Sequence, residues 1–246
     1  LGPLIIALVV QARGLASTWI VAVPGLVACG LLWRFIPGRR PMPAATASRG
    51  LRADLRAAFA PLFVLWLIVV LRSVIISAYQ TFLPLLLQQR GGSIVEGGWA
   101  VFVFGGIGAL GGISGGTLSD RYGRRRMLGL SLILGVPMLY GFIRTSGPLA
   151  YVFLAAGGVS IYLSAAVTIV MAQELLPHRA SVASSIVMGL AWGTAGLSLT
   201  GVGAVADVIG LEGALTWTLT LAIVALAAVA RLPARTAPER APALTA

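Results

Sequence analysis

Residues 116–126 read Gly-Thr-Leu-Ser-Asp-Arg-Tyr-Gly-Arg-Arg-Arg, with one carboxylate and four arginines in eleven positions. Both flanks are apolar. Trp99 to Gly116 carries no charge, and neither does Met127 to Ile143. A hydrocarbon layer about 30 Å thick is crossed by about 20 helical residues, and each flank comes close to that length. A charged knot between two such runs is a short loop between two membrane-spanning helices.

Composition extends this reading to the whole chain. Of 246 residues, 58% are hydrophobic and only 10% are charged, and the mean hydropathy is +0.96. Soluble domains carry roughly 25% charged residues, so this chain has too few charges to cover a water-facing surface. The fold class expected is all-α and membrane-spanning. The net charge is +11, and all 18 basic residues are arginine. A basic balance of this size can indicate nucleic-acid binding. Here the arginines lie in loops between apolar runs and are not interleaved with aromatics, so nucleic acid is excluded as a partner. Cys29 is the only cysteine, which excludes an internal disulfide framework. No metal, cofactor or catalytic residue is expected. A membrane-bound enzyme would need carboxylate, His or Cys clusters at membrane depth, and the apolar runs hold none.

Counting apolar runs gives a stub, Leu1 to Val10, and seven spans. They are placed at about Ser17–Phe35, Phe59–Leu87, Val95–Leu118, Met127–Ile143, Leu149–Ala172, Ser181–Ala206 and Leu211–Ala230. Residues 37–57 form an Arg- and Pro-rich linker, and 232–246 a Pro- and Ala-rich tail expected to be disordered. The arginines sort by side. Fourteen of the 18 fall on the side of the linker, the 119–126 loop, Arg179 and the tail; Arg13, Arg90 and Arg144 fall on the other, and Arg72 lies within a span. The positive-inside rule makes the first side cytoplasmic. An inner or plasma membrane location follows, with the linker and tail in the cytoplasm.

Two enzyme-like patterns are coincidental. Gly106-Ile-Gly108-Ala-Leu-Gly111 matches a dinucleotide fingerprint, and Gly112-Ile-Ser114-Gly-Gly116 a nucleophile elbow. Both lie inside an apolar helix, without the preceding strand that either motif needs. Helix packing explains these glycines better. Gly108, Gly112 and Gly116 recur at every fourth position on one helix face, as do Gly189 and Gly193 in the sixth span, and small residues so spaced let helices approach closely.

Arg72 is the costly residue. A charged side chain at the bilayer centre costs roughly 2.5–3.5 kcal/mol on insertion scales. It is expected to face a water-filled cavity or a carboxylate, with Tyr79, Gln80, Tyr162 and Ser164 as candidate cavity residues. Asp207 is expected to end the sixth span at the outer interface.

The order Gly116-x-x-x-Asp120-Arg121-x-Gly123-Arg124-Arg125-Arg126 resembles the cytoplasmic signature loop of the major facilitator superfamily. Within that superfamily, Gln173-Glu-Leu-Leu-Pro-His-Arg179, Ala191-Trp-Gly-Thr-Ala-Gly196, Ala206-Asp-Val-Ile-Gly210, Leu71-Arg72-Ser73 and Tyr79-Gln-Thr-Phe-Leu83 resemble the fosmidomycin-resistance family. The resemblance implies a drug-efflux or related exporter of a small molecule, driven by proton antiport and working by alternating access. It does not carry over the substrate. It implies that Gly116, Asp120, Arg121, Gly123, Arg124 and Arg125 form a conformational latch, with Asp120 facing the start of the sixth span near Ser181 and an arginine pairing with Glu174. A non-transporting membrane scaffold or sensor built on a transporter half is the alternative.

A weak repeat fits a duplicated carrier. Gly14-Leu-Ala-Ser-Thr-Trp19 opens a span ending at Pro37, and Gly210-Leu-Glu-Gly-Ala-Leu-Thr-Trp217 opens one ending at Pro233. On this reading residues 1–36 are a remnant of a first half, residues 58–231 are the complete six-helix second half, and the rest of the first half is a missing partner. Single cysteines at Ser48 and Ser146, in a Cys29→Ser background, are expected to react with impermeant maleimide from opposite sides of the membrane. Labelling from one side would overturn the span assignment.

Overall fold

The computed structural model describes residues 2–35, except 15, 18, 20 and 21, and residues 51–232. Linker residues 37–50 and tail residues 233–246 lie outside the described residues. Every regular element among the described residues is helical. This is the solution hydrocarbon demands, because a helix satisfies its own backbone groups where no water can.

Two short helices come first, α1 (Gly2–Arg13) and α2 (Ala22–Phe35). Of the span expected from Ser17, Ser17 and Trp19 lie in 3₁₀ turns and Ala22–Phe35 is α-helix. Helix α3 (Leu51–Gln89) begins inside the expected linker. Residues 51–57 contain neither Pro nor Gly and are mostly Leu, Ala and Arg, all strong helix formers. Asp54 adds a favourable charge in the first turn.

Helix α4 (Ile94–Val101) opens with a capping box, in which the Ser93 hydroxyl accepts from the Glu96 N–H and the Glu96 carboxylate accepts from the Ser93 N–H. It continues through a π-helical turn, Phe102–Ile107, into α5 (Gly108–Tyr122). The charged knot is a single-residue break at Gly123, at φ 90°, before α6 (Arg124–Arg144). Helices α7 (Pro148–Tyr162) and α8 (Ser164–Leu175) form one crossing interrupted at Leu163. A 3₁₀ turn, Pro177–Arg179, leads to α9 (Ala180–Ser184), a second π-helical turn at Ser185–Leu190, and α10 (Ala191–Arg231).

Among the described residues, five continuous helical stretches are long and apolar enough to cross a membrane, and the last, Pro177–Arg231, is 55 residues long. At about 1.5 Å per residue, that is more than twice the hydrocarbon thickness. Gly210 divides it, with φ 78° and ψ 165° inside the helix, a conformation open to glycine and strained for other residues. Contacts on either side show that the chain reverses there. Before Gly210, the helix runs alongside α3 from Arg179, beside Asp54, to Asp207, beside Gln88. After it, Glu212 meets Arg90, which also bonds the end of α6, whereas Ala230 meets Arg125 at the start of α6. Six crossings result from α3 to Arg231. Residues 206–210, expected as a turn between two spans, form this sharp reversal without a loop.

Helix α3 is central, packing on α4, α8 and α10. Its inward face, including Leu65, Ile75, Tyr79 and Leu83, is fully buried. Helix α6 packs on α7 and α10, and α1 rests on α4. Helix α2 buries none of its residues.

Helix α5 makes the tightest approach. A Cβ on Gly111 would overlap the Val159 carbonyl, and one on Gly115 would overlap the Leu163 carbonyl. The contact stripe is therefore Gly108, Gly111 and Gly115, at spacings of three and four. Gly112 and Gly116 flank it, with a Cβ at ordinary contact distances of 3.8 Å. Both stripes share one broad helix face, and the partner backbone lies nearer the first. Gly189 and Gly193 have nothing within 4 Å, so they mediate no helix contact among the described residues. Gly115→Leu is expected to destabilise the protein by about 1–3 kcal/mol or more through overpacking, with Gly193→Leu close to neutral. Thermal unfolding in detergent, followed by tryptophan fluorescence, checks the contrast.

Candidate functional site

A polar cluster lies in the middle of α3. Arg72 and Gln80 are two turns apart on one face of that helix, opposite the α7–α8 junction. Arg72 is 2% exposed, and its Nη1 donates to the Ser164 hydroxyl at 3.0 Å. Gln80 Nε2 donates to the Tyr162 hydroxyl at 2.7 Å. Tyr162 and Ser164 flank the interruption at Leu163, and each reaches a different side chain of α3. Arg72 Nε and the Ser73 hydroxyl are buried without a hydrogen-bond partner among the described residues, and no carboxylate pairs with Arg72. Among the described residues, a neutral hydroxyl is thus the only hydrogen-bond partner of this cation.

Tyr79 lies apart from these two pairs. It is fully buried, and its hydroxyl donates to the Leu139 carbonyl of α6 at 3.4 Å. Its ring packs on Phe104, which in turn meets Tyr162 edge-on. Phe104 and Gly105 belong to the first π-helical turn, and Gly105 lies against the Gln80 amide. No spacing signal in the sequence points to them; only the local widening of the helix reveals their place beside the cluster. Such turns recur at functional sites.

The ends of the helices carry the charged contacts. At one end, Arg124 pairs with Glu174, linking the 116–126 loop to the end of α8. Arg125 Nη2 donates to the Ala230 carbonyl at 2.6 Å. Arg179 pairs with Asp54 at 3.0 Å, joining the α8–α9 turn to the first turn of α3. Asp120 and Arg121 are exposed and form no ion pair with other described residues. Gly116 lies next to Ala166 of α8. At the other end, Arg90 pairs with Glu212 at 2.7 Å and donates to the Ile143 carbonyl at 2.5 Å and the Thr145 carbonyl at 3.5 Å. Arg125 and Arg90 both lie where a cation is favoured, at the unsatisfied carbonyls of a helix C-terminus. The Arg179–Asp54 and Arg90–Glu212 pairs were not expected from sequence. Each joins segments more than 100 residues apart, although the even alternation of spans puts both partners on one side.

Residues 1–200 match the family model of the Major Facilitator Superfamily. The chain belongs to that superfamily. Its members are transporters, generally without enzymatic activity, and the chain is a multi-pass membrane protein of that class. It is 38% identical over 112 residues to the uncharacterized MFS-type transporter YfnC of Bacillus subtilis (strain 168), covering 45% of this chain and 27% of that protein. It is 32% identical over 143 residues to the fosmidomycin resistance protein of Escherichia coli (strain K12), covering 56% of this chain and 33% of that protein. The matched region is thus a third or less of each relative's length.

Within this superfamily chain the Arg124–Glu174 pair is partly exposed, at 25% and 40% of the side chains. Ion pairs of that exposure contribute about 0–1 kcal/mol, which suits a contact that opens and closes. Arg124→Glu and Glu174→Arg are each expected to lower stability by no more than about 1 kcal/mol, and the double exchange to restore it. A double-mutant cycle on detergent-solubilised protein measures the coupling. A coupling of zero would remove the pair as a folded-state contact.

Proposed function

We propose that this chain supplies the second half of a small-molecule exporter working by alternating access, in an inner or plasma membrane. The observation that carries the reading is Arg72, a buried cation within a membrane span that has, among the described residues, a single neutral hydrogen-bond partner and no carboxylate. Intramembrane charge is costly and marks substrate or ion pathways. Here it lies beside the Gln80–Tyr162 pair, so that two donors and two hydroxyls project from α3 and the α7–α8 junction towards one region. Arg72, Gln80, Tyr162 and Ser164 are proposed to contact or position the substrate, with Tyr79 holding α3 against α6.

The substrate is a drug-like compound or metabolite, and the relative named for fosmidomycin resistance makes fosmidomycin the first compound to test. Export is coupled to protons. None of the described carboxylates pairs with Arg72, so the proton-carrying group is assigned to the partner half, which forms the other wall of the path. The 116–126 loop and Glu174 act on the cytoplasmic side as the latch between two carrier states. Residues 37–50 and 233–246 are assigned to the cytoplasm with them. No step makes or breaks a covalent bond in the substrate.

The test is proton-gradient-driven fosmidomycin uptake into inverted vesicles holding the carrier with both halves. Arg72→Leu is expected to reduce flux at least tenfold at equal or higher membrane insertion. Arg72→Lys is expected to retain partial flux, because charge is kept while the planar fork is lost. Unchanged flux in the Leu variant would overturn the role of Arg72.

A further inference from the structure

Six acidic side chains lie within the described residues: Asp54, Glu96, Asp120, Glu174, Asp207 and Glu212. Asp54, Glu174 and Glu212 each pair with an arginine, and Glu96 closes a helix cap. Three of these six are thus paired with an arginine, in a chain of net charge +11. Asp120 and Asp207 are the two with no ion pair or hydrogen bond among the described residues. Asp120 is exposed in the last turn of α5, beside Arg121. Asp207 differs, because it lies in a groove of about 520 Å³ between α3 and α10, lined also by Phe82, Leu85, Gln88, Gln89 and Leu211. Arg90, which follows Gln89 directly, is held by Glu212 and the end of α6 and leaves Asp207 unneutralised.

We propose that this groove binds a small organic cation, with Asp207 as its counter-ion. The volume falls within the roughly 300–1,000 Å³ range of small-ligand sites. The Gln88 and Gln89 amide oxygens accept hydrogen bonds from an ammonium. The Phe82 ring offers its negative face to a cation, and Leu85 and Leu211 suit apolar substituents. Gly203 also lines the groove, and a Cβ there would stand at ordinary contact, 3.8 Å from the Phe82 ring, so that only a larger side chain would narrow it. An inorganic ion fits less well, because no group of three or more metal-ligating side chains occurs among the described residues. The groove lies at the Arg90–Glu212 end of the helices, away from Arg72. The inference therefore goes beyond the transport reading and does not depend on it.

Equilibrium dialysis of tetraphenylphosphonium against the full chain in dodecyl maltoside tests the site, with tetraphenylborate as a probe of the same shape and opposite charge. Non-specific attraction to a chain of net charge +11 would favour the borate. The expected result is saturable binding of the phosphonium at one site, weakened about tenfold or more by Asp207→Asn and unchanged by Asp120→Asn. Gly203→Leu, which narrows the groove and keeps the charge, is expected to weaken it as well, and provides the test should the Asn variant not fold. Displacement by phosphatidylethanolamine but not phosphatidylglycerol would identify a lipid ammonium as the occupant, and insensitivity to both a free solute; either supports a cation site. Absence of saturable phosphonium binding, or binding indifferent to both substitutions in the groove, would overturn the proposal. Fosmidomycin flux is a separate readout, so failure here leaves the transport reading standing, and the reverse.

Discussion

Hydrocarbon offers a protein no hydrogen bonds and no screening of charge, and most of this structure follows from that. Helices satisfy the backbone. Charged groups collect towards the helix ends, where several pair with one another or with the exposed carbonyls of neighbouring helices. Arg124–Glu174, Arg179–Asp54 and Arg125 on Ala230 lie at one end, and Arg90 on Glu212 and Ile143 at the other. Each contact is modest by itself, because all are partly exposed. Together they join helix ends from α3 to α10 on both faces of the bundle. Between the ends, cohesion comes from packing, and there the glycines of α5 matter most, because they let backbone rest on backbone.

That close approach also shapes the polar cluster. Gly111 and Gly115 bring α5 against the carbonyls of Val159 and Leu163, the turn at which α7 gives way to α8. The same turn presents Tyr162 and Ser164 to α3, and the π-helical turn ahead of α5 carries Phe104 and Gly105 to the Gln80–Tyr162 pair. The apolar packing and the polar site are thus two sides of one junction. A side chain added at Gly115 would shift the groups that hold Arg72, with no direct contact to the arginine itself.

Much of this was legible in the sequence, and what was missed has a physical pattern. The crossings could be read because an uncharged run of some 20 residues has few other uses, and the charged 116–126 loop could be placed between two of them. Arg72 stood out because charge is costly at that depth. Element ends were less legible. Helix α3 starts at Leu51 because Arg and Ala favour helix as much as they suit a loop, and the reversal at Gly210 needs a single residue where a longer turn was expected. The glycine stripe was displaced by one position, from 112 and 116 to 111 and 115, because composition shows that a face is small without showing where the neighbouring backbone lies. Arg90–Glu212 and Arg179–Asp54 were hidden by their separation along the chain.

The contrast between ends and middle bears on how such a half could move. Side chains in a well-packed core do not deform continuously, so displacement is expected at surfaces that are open or weakly held. Within this chain the α5 junction is backbone on backbone and the α3 face is fully buried, which argues against movement inside the half. The face of α10 carrying Gly193 and Gly196, by contrast, has no packed neighbour among the described residues, and the Arg124–Glu174 contact is only partly shielded from solvent. Under the proposed alternating access, rocking would therefore occur at that open face, with the half turning as one body and the weak charge pair shifting with it. Arg72 fits the same logic. Its only hydrogen-bond partner among the described residues is a neutral hydroxyl, so a negative group arriving at the proposed path would gain more there than at any neutralised arginine, and that gain is what would bias one carrier state over the other.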